Sequence, residues 1–278
     1  MDARAIATSA LGRDPGPLAP VSSRSHHVYI GADVVVKLIA ANDHERLDRE
    51  IALAPHLPPG LTAPLLASGR RRDVRYACYT RVPGAAPGMG LPDTGERAAL
   101  DLARQAIERL EALHAWTPPE PARRVLAEVP DHGGFTSRHE LIARTEKLEG
   151  VVPPNTLDGL KAIAARAPEH ARNTVPVHAD CHWGNWLANG TELTALLDFE
   201  WARFGDPLDD WFFLARFSGL HMHAVLDVIS DATEVPLNVL RVECEAREAS
   251  HLIADLPFDP AGVLKLLEQL VAGIWWPQ

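Results

Sequence analysis

Residues 175–199 constrain the fold of this chain more than any other stretch. Val175-Pro176-Val177, Trp186-Leu187-Ala188 and Leu193 to Leu197 are short apolar runs, and Asn189-Gly190 between the last two has the chemistry of a tight hairpin turn. Such runs read as buried strands. Polar residues stand at fixed intervals among them: His178-Ala179-Asp180, then Asn185 five positions after the aspartate, then Asp198-Phe199-Glu200 beginning thirteen positions after the asparagine. A rigid hairpin with these groups at its ends holds one aspartate beside a pair of oxygen-bearing side chains.

That set suits phosphoryl transfer. The reaction needs little covalent help, so the protein must orient an attacking hydroxyl and hold magnesium against phosphate oxygens. Asp180 is the candidate for accepting the hydroxyl proton. Asn185 and Asp198 are hard oxygen ligands of the kind Mg2+ prefers, with phosphates and water completing the octahedron. His178, Asp180, Cys181, His182 and Asp198 also contain the ligand types of a transition-metal cluster, but that reading leaves Asn185 without a role. Cys181 as a nucleophile has only the adjacent His182 to activate it.

The motif resembles the catalytic core of the aminoglycoside phosphotransferase and choline kinase group, small-molecule relatives of the protein kinases. Their loop usually reads His-Gly-Asp-x-x-x-x-Asn; here Ala179 replaces the glycine, a mild departure because alanine is still small. Phe204-Gly205-Asp206-Pro207-Leu208-Asp209-Asp210-Trp211 is similar to the group's Gly-Asp-Pro-x-x-Asp-Leu stretch, with Trp211 at the leucine position. Asp206 and Asp210 are expected to brace the loop rather than touch substrate. The resemblance implies an α+β, protein-kinase-like two-lobed fold. It has a small N-terminal β-sheet lobe with one helix over residues 1–82, and a larger, mainly helical C-terminal lobe over 83–278.

A kinase site also requires a lysine on a central strand, held by a glutamate on the next helix. Val34-Val35-Val36-Lys37-Leu38-Ile39 reads as a buried strand carrying one lysine. Residues 42–53 have helical character, with Asn42 or Asp43 as N-cap and Leu47, Glu50, Ile51 and Ala54 on one face. Glu50 therefore points inward and is chosen over Glu45 as the partner of Lys37. The phosphate-covering loop lies at Val21 to Gly31, where no glycine precedes Gly31 and Ser23 and Ser25 are the candidate donors. By resemblance, the strand Tyr76 to Val82 leads into the hinge. The backbone of Thr80 and Val82 would then pair with the adenine edge.

Downstream, Ala99, Leu102, Ala103, Ala106, Ile107, Leu110 and Leu113 trace one helical stripe. Further helical patterns begin near His139, Leu157, Trp211, Ala224, Val239 and Val263.

Composition bounds the partners. A formal charge of −10 over 278 residues excludes a nucleic-acid surface, which needs clustered Lys and Arg. No apolar run approaches the roughly 18 residues of a membrane span, and three scattered cysteines imply no disulfide framework. The expectation is a cytoplasmic protein, a monomer or weak homodimer, using ATP and Mg2+ to phosphorylate a small cationic hydroxyl acceptor. The resemblance favours an antibiotic, and His26 to Gly31 is similar to the corresponding loop of the members that act on viomycin and capreomycin. Glu200, His182 and Glu245 are the candidate acceptor contacts. A choline- or homoserine-type metabolite kinase is the alternative, and a non-catalytic nucleotide-binding module on the same fold is a third reading.

Overall fold

The computed structural model describes residues 2–23, 26–40, 45–128, 134–172 and 174–276. Strands β1 (Ala19–Val21), β2 (His27–Ile30), β3 (Val34–Ala40), β4 (Leu65–Arg71) and β5 (Val74–Thr80) form one sheet in the order β1-β2-β3-β5-β4, antiparallel throughout. Side chains alternate across a strand, and along β3 that alternation decides what packs where. Val34, Val36 and Leu38, with Cys78 of β5, face helix α1 (Ala3–Leu11) and meet Ala3, Ile6 and Ala7. Lys37 and Ile39 face the other way. There Ala77 and Tyr79 are covered by Leu47 and Ile51 of helix α2 (Glu45–Leu53) and by Ala54 beyond its end.

The expectation of one helix in this part is corrected to two, because α1 escapes the sequence reading. Its signals are short-range. The Asp2 side chain accepts from the Ala5 amide, and Gly12 ends the helix in the left-handed region at φ 67°. Asn42 and Asp43, the expected caps of α2, lie outside the described residues. The basic run Arg70-Arg71-Arg72 occupies the end of β4 and the turn into β5.

Beyond the sheet the chain is mainly helical: α3 (Glu96–His114), α4 (Glu120–Ala127), α5 (Arg138–Glu146), α6 (Pro154–Arg166), α7 (Pro207–Arg216), α8 (Met222–Thr233), α9 (Leu237–Asp255) and α10 (Pro260–Val271). In α3 the buried residues are the seven of the predicted stripe. Between α6 and α7, strand β6 (Val175–Val177) pairs with β9 (Arg203–Gly205), and β7 (Trp186–Asn189) forms a hairpin with β8 (Glu192–Leu196). Among the described residues no single helix is long and apolar enough to cross a membrane.

Helix α9 is buried on nearly every side from Cys244 to Ser250, so its charges must be paired. Arg247 donates to Asp209 and Glu243, Glu245 accepts from Arg166 and from the Trp276 indole, and Glu248 accepts from Arg216 and from the Trp275 indole. These acids are internal ties.

The link out of β5 runs against β7. Ala85 and Ala188 exchange backbone hydrogen bonds of 2.9 Å each way, and Gly84, at φ 116°, lies so close that a Cβ would sit 2.6 Å from the Ala188 carbonyl oxygen. Only glycine meets both conditions. Gly84→Ala is expected to destabilise the protein by about 1–3 kcal/mol, read as a lowered midpoint in thermal or urea unfolding.

Candidate active site

Lys37 reaches the site because β3 turns it toward α2, and Glu50 meets it because α2 turns the same face inward. Its Nζ lies 3.0 and 2.9 Å from the two Glu50 carboxylate oxygens and also donates to Asp198 Oδ1. The Tyr79 ring lies alongside, 5.8 Å from Nζ to centroid. Lys37 and Glu50 are both buried. Burial alone would lower the pKa of the Lys37 ammonium, but the carboxylates of Glu50 and Asp198 outweigh it and raise it. In Glu50 burial outweighs Lys37 and the pKa is raised, whereas in Asp198 the ammonium outweighs burial and the pKa is lowered.

Asp198 adopts a left-handed backbone, φ 62°, immediately before a 3-10 turn at Phe199–Trp201. Aspartate is among the few non-glycine residues that tolerate this region, and such conformations concentrate at functional sites. Leu197, just before it, is clasped twice: its N–H donates to the Asn185 carbonyl at 2.8 Å, and its carbonyl accepts from His178 Nε2 at 2.8 Å. His178 Nδ1 accepts the Asp180 N–H at 3.2 Å. The ring therefore carries its proton on Nε2, and burial lowers its pKa and favours that neutral form. Asn185 Nδ2 donates to the Asp180 carbonyl at 2.8 Å and to Asp180 Oδ2 at 3.1 Å. These bonds set Asp180, Asn185 and Asp198 in one frame.

A single buried carboxylate anchors the frame from behind. Asp210, on α7, accepts from the amides of His178 at 3.0 Å and Ala179 at 2.7 Å and from His114 Nε2 at 2.9 Å, and its carbonyl accepts from Cys181 Sγ at 3.2 Å. Burial would raise Asp210, but the bond and charge of His114 and the loop groups hold it below the ordinary carboxylate range. To present both amides, the chain at Ala179 takes φ 63°. The usual glycine of this motif is thus a matter of conformation rather than of size, which corrects the expectation that alanine is a mild change.

Asp180 is pushed up to about 7 by burial, against the Asn185 bond that lowers it. Its Oδ1 lies 3.7 Å from His182 Nε2, and His182 Nδ1 accepts the Gly184 N–H at 3.1 Å. Of the expected acceptor contacts, only His182 adjoins Asp180. Glu200 is corrected: it is buried, 3.7 Å from His26 Nε2 and 3.8 Å from Arg46 Nη1, on the side facing the sheet. Glu245 is corrected as well, because Arg166 at 3.1 Å and Trp276 at 2.8 Å occupy its carboxylate inside the helical packing.

Ser23 is exposed just beyond β1, and on the neighbouring strand Val28 registers opposite Lys37. Ser25 lies outside the described residues. The Thr80 amide donates to the Pro64 carbonyl at 2.9 Å, so pairing of its backbone with a base would fall to its carbonyl. Val82 packs in the cluster of Tyr79 and Leu197.

The transition-metal reading loses its ligands. His178 and His182 each commit Nδ1 to a loop amide, Cys181 is sealed with its thiol pKa raised by burial, and among the described residues no three His, Cys, Asp or Glu side chains form a metal cage. Magnesium asks less of the protein. Asn185 spends its N–H groups on Asp180, which leaves its carbonyl oxygen, with the Asp198 carboxylate, as a donor pair that fits that ion.

Two predictions follow from this geometry. Asp180 titrates near 7 in the folded protein against about 4 when unfolded. Its neutral form therefore adds stability that is complete below about pH 4 and is lost as pH rises through about 7. Asp180→Asn should raise the unfolding temperature relative to wild type at pH 8 but not at pH 5, while cutting any transfer activity by about a hundredfold or more. Ala179→Gly should relieve a left-handed strain of about 1–2 kcal/mol, partly offset by about 0.4–1 kcal/mol of unfolded-chain entropy. Calorimetry should show a midpoint raised by up to a few degrees, or about 1 kcal/mol.

Residues 18–258 match the model of the APH family, described as the phosphotransferase enzyme family. The chain is 31% identical over 142 residues to the tRNA modification GTPase MnmE of Geobacter metallireducens, a match covering 49% of this chain and 29% of that protein. The chain thus spans under a third of that curated relative, and it contains no Gly-Lys-Ser or Gly-Lys-Thr phosphate loop. Among solved structures, it superposes on the GDP and kanamycin complex of the aminoglycoside phosphotransferase APH(2")-IIIa with a TM-score of 0.75 at 19% identity, covering 97% of this chain and 98% of that one. Macrolide 2'-phosphotransferase MphH from Brachybacterium faecium gives a TM-score of 0.67 at 19% identity over 99% and 97% of the chains. The complex of APH(4)-Ia with ADP and hygromycin B gives 0.65 at 18% identity over 99% of each. The fold is the α+β kinase-like fold of these enzymes, and over most of its length the chain belongs to the phosphotransferase enzyme family.

Proposed function

We propose that this protein is an ATP-dependent O-phosphotransferase that transfers the γ-phosphoryl group to a hydroxyl of a small cationic antibiotic. One observation carries the reading: Lys37, paired with Glu50, shares Asp198 with a loop in which Asn185 holds Asp180, so phosphate-binding and proton-accepting groups stand in one frame. GDP, ADP and AMP-PNP occupy structures of related fold, and their acceptors include kanamycin and hygromycin B. The boundary between lobes is placed at residue 82, and the protein is taken to act in the cytoplasm as a monomer or weak homodimer.

In this mechanism Lys37 grips the nucleotide phosphates and Glu50 keeps it oriented. Asn185 and Asp198 would hold Mg2+, which would supply charge neutralisation at the phosphate oxygens when bound. Asp180 orients the acceptor hydroxyl and takes its proton, for which a carboxylate poised near neutrality is suited. His182, beside Asp180, lies where an acceptor would approach. Within the antibiotic class, basic cyclic peptides such as viomycin and capreomycin are preferred, on the His26 to Gly31 segment and the net charge of −10.

A panel of aminoglycosides, macrolides, viomycin and capreomycin, with ATP and GTP each as donor, tests the reading through growth protection and nucleotide consumption. Protection with stoichiometric consumption is expected for at least one basic antibiotic. Asp198→Ala should abolish transfer, and Cys181→Ser should leave it within about threefold, since a hydroxyl can make the same bond to the Asp210 carbonyl. Turnover of choline or homoserine without any antibiotic turnover would assign the protein to metabolite kinases. Nucleotide binding with no acceptor at all would leave a binding module.

A further inference from the structure

Helix α2 is held from two sides. Glu50 faces the sheet and Lys37, while Arg49, about 100° round the helix from it, reaches toward the turn that begins after Asp198. Arg49 Nε donates to the Glu200 carbonyl at 3.2 Å and Nη2 donates to the Ala202 carbonyl at 2.7 Å. Three residues earlier on the helix, Arg46 lays its guanidinium over the Trp201 ring at 4.4 Å and sets Nη1 3.8 Å from Glu200 Oε1. His26, from the loop before β2, adds Nε2 at 3.7 Å from Glu200 Oε2. Residues from two elements of the sheet region thus converge on one short turn, and none has a part in the transfer chemistry.

Arg49 is the strongest of these contacts. Its side chain is only 14% exposed, and its bonds to the two carbonyls are charge-assisted and shielded from water. Its one carboxylate neighbour among the described residues, Glu128 at 3.7 Å, is 70% exposed and contributes little. In protein kinases the lysine–glutamate pair and the metal-holding aspartate come together only when the helix is correctly placed, and regulation acts on that step.

We propose that Arg49 is a positioning residue that bolts α2 to the turn after Asp198, so that the Lys37–Glu50 pair and Asp198 are assembled before any nucleotide arrives. The proposal deepens the functional reading above and rests on it for the roles of Lys37 and Asp198. A guanidinium is required because its fork reaches two carbonyls two residues apart, whereas an ammonium is a single point of charge.

The test compares wild type with Arg49→Met, Arg49→Lys, Glu50→Gln, the Arg49→Met/Glu50→Gln double variant, and Glu128→Gln as a control. Magnesium–ATP affinity is measured by titration calorimetry, and amide hydrogen exchange of residues 47–53 and 199–202 is followed in the ligand-free protein. Arg49→Met should weaken nucleotide affinity about tenfold and speed exchange in both segments while β5 keeps its protection. Arg49→Lys should recover only part of the loss, and Glu128→Gln should match wild type. The double variant should bind no more weakly than Glu50→Gln alone, because the bolt acts through that residue. Additive losses, or wild-type affinity and exchange in Arg49→Met, would overturn the proposal. If Arg49→Met does not fold, Arg49→Lys carries the same comparison. If wild type binds no nucleotide, the functional reading fails, and equal exchange in wild type and Arg49→Met then decides against the bolt separately.

Discussion

A buried ammonium is the constraint on which the rest depends. Moving Lys37 out of water is costly unless its charge is met closely and from more than one side, and the two carboxylates that meet it come from different parts of the chain. Glu50 arrives on α2 and Asp198 arrives at the end of the β7–β8 hairpin region, 161 residues from the lysine. Once both are committed to one nitrogen, the sheet, the helix and the turn after Asp198 have little freedom left. Apolar packing of Leu47, Ala63, Tyr79 and Leu197 around the same point supplies the low-dielectric setting that strengthens the pair.

The second anchor works by accepting bonds. Asp210 collects two backbone amides and a histidine, and its own carbonyl takes a thiol, so the loop bearing Asp180 is positioned from below by α7. Asp206 at the start of α7 caps that helix through the Leu208 amide and also receives the Arg172 amide. The Gly-Asp-Pro-x-x-Asp spacing therefore encodes a cap and a loop anchor one helical turn apart. The two buried arginines Arg203 and Arg247 share Asp209 between them and tie the same helix to β9 and to α9.

Much of this was legible in the sequence, for identifiable reasons. Periodicity marked the buried stripe of α3, Lys37 stood out as the one lysine in an apolar strand run, and Glu50 stood on the inward face of its own helix. Spacing alone placed Asp180, Asn185 and Asp198 in one loop system. What escaped was whatever depends on long-range partners. Glu200 and Glu245 look like surface acids because composition cannot tell a solvated carboxylate from one met by His26 and Arg46 or by Arg166 and an indole. Arg49 gave no signal either, since its partners are backbone carbonyls and carry no residue type. Ala179 was read for volume when the deciding quantity was its backbone angle. Helix α1 was passed over because nine residues of modest amphipathicity gain their stability from the sheet rather than from propensity.

The three thiols offer an experimental handle. Cys78, Cys181 and Cys244 are all buried, and burial raises the pKa of each, Cys78 to about 11, so none presents a reactive thiolate at neutral pH. The native chain is in effect silent toward maleimides. A single cysteine introduced at exposed Ser23 would be the one labelled position, and a fluorophore there would report any change around that residue when nucleotide is added, without any background to subtract.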